Sequence, residues 1–167
     1  MAGPGFVHLH IHSAYSLLEG ALTLDRLLDL AKADKQPAIG VADTNNLFGA
    51  LEISEKASGK GVQPLIGAEL AFTFEPKSDR IVERGHERGP FSKSSVVLMA
   101  ATSRGFENLS RLVSRAYIVG EAGRAVAQFD WLDREAAEGI ICLSGGPEGA
   151  IDPLLTMGQD AQAEQRL

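Results

Sequence analysis

The sequence predicts an α/β domain, because short β-like runs and longer helical runs alternate along it. Its 167 residues, of which 44% are hydrophobic, are enough for one domain with a buried core. The formal net charge of −6 argues against binding nucleic acid over a whole face, since such faces are basic. The single cysteine, Cys142, excludes an internal disulfide and a zinc site with several cysteines.

The N-terminal half contains the clearest periodicity. Alternating apolar and polar residues predict a strand at 6–12, and a helix follows at 23–33 with Thr23 as its N-cap. The buried stripe predicted for this helix consists of Leu24, Leu27, Leu28, Leu30 and Ala31. An apolar run predicts a second strand at 37–43, and a second helix at 46–61 ends at its glycines.

The remaining elements repeat this order. Apolar runs predict strands at 63–74, 94–102 and 139–146. A helix at 104–120 has Ser103 as its predicted cap, and its predicted buried stripe is Phe106, Leu109 and Leu112. Residues 75–90 carry charges of both signs, two glycines and two prolines, so we expect an exposed, mobile loop inserted into the domain.

Targeting and membrane signals are missing from the sequence. No apolar run is long enough to span a bilayer, and the first residues, MAGPGFVH, lack a charged leader followed by an apolar stretch. We therefore expect a soluble, cytoplasmic protein.

Three histidines alternate along the first predicted strand, as His8, His10 and His12. Residues at i and i+2 of a strand point to the same face, so His10 and His12 are a candidate pair for a divalent metal such as zinc. An alternative is that they line the wet face of an edge strand.

Acidic residues provide possible companions for the histidine pair. In a parallel α/β barrel, functional groups gather at the carboxyl ends of strands, where Asp43 and the segment 144–146 also fall. This placement would bring His10, His12, Glu69 and Glu19 toward one mouth. Glu69 could instead be an ordinary exposed strand residue, and Cys142, in an apolar run, is interpreted as a buried small hydrophobe rather than a ligand.

Five segments together resemble the polymerase and histidinol phosphatase (PHP) family, in the form that opens bacterial replicative DNA polymerase III alpha subunits. They are FVHLHIHSAYSLLEGA, GVADTNNLFGALEI, QPLIGAEL, RGFENLSRLVSRAY and GIICLSGG. The resemblance implies a distorted β/α barrel of seven strands, of which residues 1–167 would supply about the first five. The chain would then be the N-terminal part of a PHP domain, with its barrel incomplete at the C-terminal end.

The resemblance also implies a metal site, but one that has lost ligands. His10, His12, Glu19 and Glu69 match metal ligands of the family. Three further ligand positions have departed, since Thr44 and Ser95 stand where the family has histidines and Gly146 where it has a cysteine. None of these three residues is a good zinc ligand, so the resemblance implies at most one weakly bound divalent ion, zinc or manganese, and no catalytic residue.

The function implied by the resemblance is that of a structural or partner-docking domain in DNA replication. The full-length protein would be a DNA-directed DNA polymerase, a nucleotidyltransferase whose magnesium site lies downstream, and this fragment alone would be inactive. Its implied partners are the rest of the polymerase chain including the palm, a proofreading exonuclease subunit, and DNA through the full-length protein, with no membrane. The alternative is an active metal-dependent phosphoesterase or 3′–5′ exonuclease of the PHP superfamily, which the lost ligands disfavour.

Overall fold

A mixed β-sheet forms the centre of the structure, a computed structural model that describes residues 5–74, 93–119 and 125–167. In this part of the chain its strands are β1 (Ala38–Thr44), β2 (Gln63–Thr73), β3 (Lys93–Ala100), β4 (Val126–Gln128) and β5 (Ile140–Leu143). The order across the sheet is β1-β2-β3-β5, and β4 also pairs with β2. The predicted α/β class is therefore confirmed, while the short strand β4 was not predicted.

The sheet is only partly parallel. Strands β1 and β4 run parallel to β2, whereas β3 is antiparallel to β2 and β5 is antiparallel to β3. Thr73 at the end of β2 pairs with Lys93 at the start of β3. Because β3 begins beside the end of β2, it runs back alongside β2 in the antiparallel direction.

The strand predicted at 6–12 is not a regular strand. Within the described ranges, its single ladder contact is an isolated parallel bridge between Ile11 and Val41. The amide of Gly40 donates to the His8 carbonyl at 2.7 Å, and the amide of Ala42 donates to the Ile11 carbonyl at 3.0 Å. The segment thus advances three residues while β1 advances two, and this mismatch breaks the ladder that a regular strand requires.

Helices cover one face of the sheet. They are α1 (Leu24–Ala33), α2 (Ala50–Lys60), α3 (Ser103–Val119), α4 (Asp152–Thr156) and α5 (Asp160–Gln165), with 3-10 turns at Phe129–Trp131 and Gly146–Glu148. As predicted, the Thr23 side chain caps α1 by accepting from the Arg26 amide. Gly61 ends α2 in the left-handed conformation, at φ 73°.

Three details of the helix predictions were wrong. The hydroxyl that accepts from the first turn of α3 belongs to Thr102, 3.0 Å from the Gly105 amide, rather than to Ser103. Leu30 is 42% exposed and Phe106 is 39% exposed, because the helices turn narrower stripes toward the sheet than the sequence indicated. Asn108 is buried in α3 instead, where its amide nitrogen donates to the carbonyls of Glu135 and Glu138.

The two faces of the sheet have different roles. Ala68, Leu70 and Phe72 of β2 are buried under the helices in the largest hydrophobic cluster. Glu69 lies between them in sequence and points to the opposite face, where its partner in the register is Val97. That face also carries a smaller apolar cluster of Ala42, Val97 and Met99, so Glu69 lies on the same face as these apolar side chains.

Cys142 is exposed on β5, contrary to its predicted burial. In the described part of the chain β5 pairs only with β3, so one edge of β5 has no neighbouring strand there. The predicted mobile loop at 75–90 lies outside the described residues. Among the described residues, no helix combines the length and apolar character needed to cross a membrane.

Candidate metal centre

His10, His12 and Glu69 converge at one point, although Glu69 is more than fifty positions away in the sequence. The Nε2 atoms of both histidines lie 2.8 Å from Oε2 of Glu69 and 3.0 Å from each other. The side chain of His10 is 39% exposed, that of His12 is 25% exposed and that of Glu69 is 16% exposed. The cluster is therefore partly shielded and opens to solvent on the His10 side.

The histidine segment reaches this position because Gly40 lets it lie against β1. A Cβ atom at Gly40 would come within 2.3 Å of the Leu9 carbonyl oxygen and 2.8 Å of the Leu9 Cα. Both atoms belong to the backbone and cannot rotate away, so only glycine permits this close approach. The approach sets His10 and His12 near the end of β1. There they lie next to Glu69 of β2, whose partner in the register is Thr44 of β1.

A buried carboxylate holds the loop that follows the histidines. Asp43 accepts from the Ser13 amide at 2.7 Å, from the Ser13 hydroxyl at 2.8 Å and from the Ser16 hydroxyl at 2.6 Å. Ser13, Ser16 and Asp43 are all buried, and Ser16 also accepts from the Thr44 amide at 3.1 Å. Charge-assisted hydrogen bonds of this kind are stronger than neutral ones, so this network ties the loop firmly to β1.

Glu19, at the end of that loop, lies on the far side of His12. Its Oε2 is 3.4 Å from Nδ1 of His12, the ring nitrogen that faces away from the cluster. The same oxygen accepts a hydrogen bond from the Thr44 hydroxyl. The structure thus brings Glu19 to His12 but not into the group of three ligand atoms formed by His10, His12 and Glu69.

Ser95 of β3 contacts the remaining oxygen of Glu69. Its hydroxyl donates to Oε1, while Oε2 faces the two histidines. Burial raises the pKa of the Glu69 carboxyl, but the hydrogen bonds from Ser95 and His12, together with His10, outweigh it and hold the pKa below its ordinary value. Glu69 therefore carries a negative charge at neutral pH.

The three converging atoms fit a divalent cation. Two Nε2–H groups could each donate to Oε2, but their protons would then crowd the 3.0 Å gap between the two nitrogens. A cation among the three atoms would accept all three lone pairs and balance the carboxylate charge. Two imidazoles and one carboxylate form a common donor set for zinc that leaves a coordination position open.

Two other residues singled out from the sequence, His8 and Gly146, are not among the three that bring ligand atoms together. His8 packs its ring edge-on against Phe6, with centroids 4.6 Å apart. Gly146 begins a 3-10 turn at φ 62°, with open space where a side chain would stand. The adjoining Gly145 packs closely against the Ser95 backbone.

Sequence reasoning missed the Ser13–Ser16–Asp43 network. The sequence places Asp43 at a strand end, among candidate functional groups, but does not pair it with Ser13 or Ser16. The signal available was an aspartate directly after an apolar run, since such a carboxylate is buried and requires nearby donors.

Comparison with known proteins identifies the family of this chain. The PHP domain family model matches residues 8–167, and the chain therefore belongs to the PHP domain family. It is 41% identical over 170 residues to the DNA polymerase III subunit alpha of Caulobacter vibrioides (strain NA1000 / CB15N), and 38% identical over 165 residues to that of Treponema pallidum (strain Nichols). These alignments cover 99% of this chain but only 14% of each relative.

Among solved structures, an amidohydrolase from Chromobacterium violaceum is similar to this chain at 19% identity with a TM-score of 0.44. That alignment covers 96% of this chain and 53% of the amidohydrolase chain.

Proposed function

We propose that this chain is the N-terminal part of the PHP domain of a bacterial replicative DNA polymerase III alpha subunit, and that it serves a structural and partner-docking role there. Its identity to relatives that carry this name supports the assignment. The observation that carries the role is the composition of the metal centre. Only His10, His12 and Glu69 converge as ligands among the described residues, while Thr44 and Ser95 turn hydroxyls toward Glu19 and Glu69.

Such a centre would hold one divalent ion, zinc or manganese. Glu19 would support His12 from behind, in the way that carboxylates orient metal-bound histidines. Two-ion phosphoester hydrolysis needs a second metal to stabilise the leaving oxygen, and the Thr44, Ser95 and Gly146 positions offer no imidazole or thiolate for one. We therefore assign no catalytic residue to this chain, and we place nucleotidyl transfer and its magnesium ions in the rest of the polymerase.

The proposed partners are the remainder of the polymerase chain, including its palm, and a proofreading exonuclease subunit. Exposed apolar side chains offer contact area, with Leu17 81% exposed and Phe48 71% exposed. The net charge of −6 favours protein partners over direct contact with DNA, which would be bound by the full-length protein in the cytoplasm.

Primer extension and phosphodiester hydrolysis, measured on the full-length natural polypeptide, test this proposal. We expect template-directed extension, no manganese-dependent hydrolysis above background, and no extension by the 167-residue chain alone. His12→Ala should leave the background hydrolysis unchanged and lower thermal stability, whereas the exposed control Glu55→Gln should change neither. Extension by the purified 167-residue chain would refute the assignment.

The alternative is an active phosphoesterase or 3′–5′ exonuclease. One observation favours it: the centre opens to solvent beside His10, so a water molecule and a substrate phosphate could reach it. Manganese-dependent hydrolysis that His12→Ala and Glu69→Gln both abolish, while Glu55→Gln does not, would establish this alternative and remove the structural role.

A further inference from the structure

Two hydroxyl groups occupy positions where the family resemblance implies histidine ligands. Ser95 donates to Oε1 of Glu69, and Thr44 donates to Oε2 of Glu19. Each hydroxyl therefore contacts an acidic side chain of the centre, rather than pointing into solvent. This pairing suggests a role for both residues beyond the loss of a ligand.

The contact from Ser95 decides which part of Glu69 faces the histidines. With Oε1 engaged by Ser95, Oε2 alone lies at 2.8 Å from the Nε2 atoms of His10 and His12. A carboxylate that bridges two metal ions through both of its oxygens offers one oxygen to each. Ser95 thus engages the oxygen that a two-oxygen bridge would need, and Oε2 is the oxygen directed at the histidines.

The contact from Thr44 decides where Glu19 acts. Thr44 holds Oε2 of Glu19 on the Nδ1 side of His12, at 3.4 Å. A proton on Nδ1, the nitrogen nearest Glu19, leaves the lone pair on Nε2, the atom that faces Glu69 and His10. Thr44 is itself anchored, because its amide donates to Ser16 and Ser16 donates to the buried Asp43.

We infer that Ser95 and Thr44 are positioning residues that make this a one-ion centre, Ser95 by restricting Glu69 to one oxygen and Thr44 by holding Glu19 on His12. This inference rests on the proposed function only in that an ion binds at His10, His12 and Glu69. The two hydroxyls act through the acidic side chains and do not contact the ion.

The test is zinc binding to the full-length polypeptide, measured as stoichiometry and affinity. A variant that combines His10→Ala with His12→Ala provides the baseline for ions bound elsewhere. Wild type should bind one Zn²⁺ above this baseline. Ser95→Ala and Thr44→Val should each weaken that binding about 10- to 100-fold, the usual effect of removing a group that supports a metal ligand.

Matched variants separate positioning from folding. Ser95→Thr and Thr44→Ser keep a hydroxyl and should retain wild-type affinity, while Ser114→Ala, at an exposed hydroxyl of α3, should change nothing. Combining Thr44→His with Ser95→His should raise the stoichiometry to two ions above baseline, since it frees both acidic groups and adds two imidazole donors. Co²⁺ absorption bands provide a second readout, because their intensity follows coordination geometry.

The outcomes distinguish the two levels of the proposal. If one ion binds but Ser95→Ala and Thr44→Val keep wild-type affinity, the positioning role is wrong and the one-ion centre stands. If wild type binds no ion or two ions above baseline, both the positioning role and the proposed one-ion centre are wrong.

Discussion

Asp43 and Ser13 are 30 positions apart in the sequence, yet the Asp43 carboxylate accepts hydrogen bonds from both the amide and the hydroxyl of Ser13. The two bonds measure 2.7 and 2.8 Å, and both residues are buried. This pairing links the loop after the histidines to β1. It connects the stability of the domain to the shape of the candidate metal centre.

Replacing Asp43 should therefore destabilise the chain strongly. Asp43→Ala removes three acceptor contacts and leaves the Ser13 amide buried without a partner, which we expect to cost about 3 kcal/mol of unfolding free energy. Urea denaturation of the 167-residue chain measures this loss. The exposed Asp29, paired with Lys60 at the surface, is the control, and Asp29→Ala should have little effect. Equal midpoints for the two variants would contradict the importance of the buried network.

Gly40 should tolerate no side chain. In Gly40→Ala the new methyl group would overlap the Leu9 backbone, so the histidine segment must shift away from β1. We expect a loss of about 1–3 kcal/mol of stability, together with weaker zinc binding. Gly59→Ala is the matched control, because nothing lies within 4 Å of its Cβ position in α2, and it should stabilise the chain by about 0.5–1 kcal/mol. Retained stability and zinc affinity in Gly40→Ala would show that the close approach is dispensable.

The Tyr15 hydroxyl should ionise above its ordinary pKa of 10.0. Its hydrogen bond to Glu52, at 2.7 Å, and the negative charge of that carboxylate both raise the Tyr15 pKa. Because the folded pKa is raised, the stabilising contribution is complete below pH 10.0 and is lost as the pH rises through the folded pKa. Absorbance titration at a tyrosinate wavelength, taken as the difference from Tyr15→Phe, measures the value.

Glu52→Gln provides the check on this pKa. It removes the charge and should move the Tyr15 midpoint down toward 10.0. Glu55→Gln, at an exposed position on the same helix, should leave the midpoint in place. A Tyr15 midpoint that does not respond to Glu52→Gln would refute the assigned cause.

The Cys142 thiol should react slowly with alkylating reagents, although the residue as a whole is exposed. Burial of the thiol among its neighbours raises its pKa above the ordinary 9.0, so little thiolate exists at neutral pH. We expect the folded 167-residue chain to be alkylated by iodoacetamide at pH 7.5 more slowly than a free cysteine, with a rate that continues to rise above pH 9. Unfolding in urea should remove the difference. A folded chain that reacts as fast as a free cysteine at pH 7.5 would contradict the raised pKa.

The sequence by itself determined the local features of this protein. The alternation of elements predicted the α/β class, and apolar periodicity located α1 with its Thr23 cap, because helix formation and capping depend on residues within a few positions of each other. The spacing of His10 and His12 likewise predicted their convergence. Residues two apart in extended backbone share a face whether or not a regular strand forms.

Only the tertiary structure decided how distant groups meet. The sequence placed Glu19 and Glu69 near the histidines as equals, but the fold sets Glu69 at both Nε2 atoms and Glu19 behind His12 at Nδ1. It also broke the predicted first strand, turned β3 antiparallel and exposed Cys142. These outcomes depend on the register between segments and on which strand edge is covered, and both result from packing across the whole sheet rather than from the preferences of neighbouring residues.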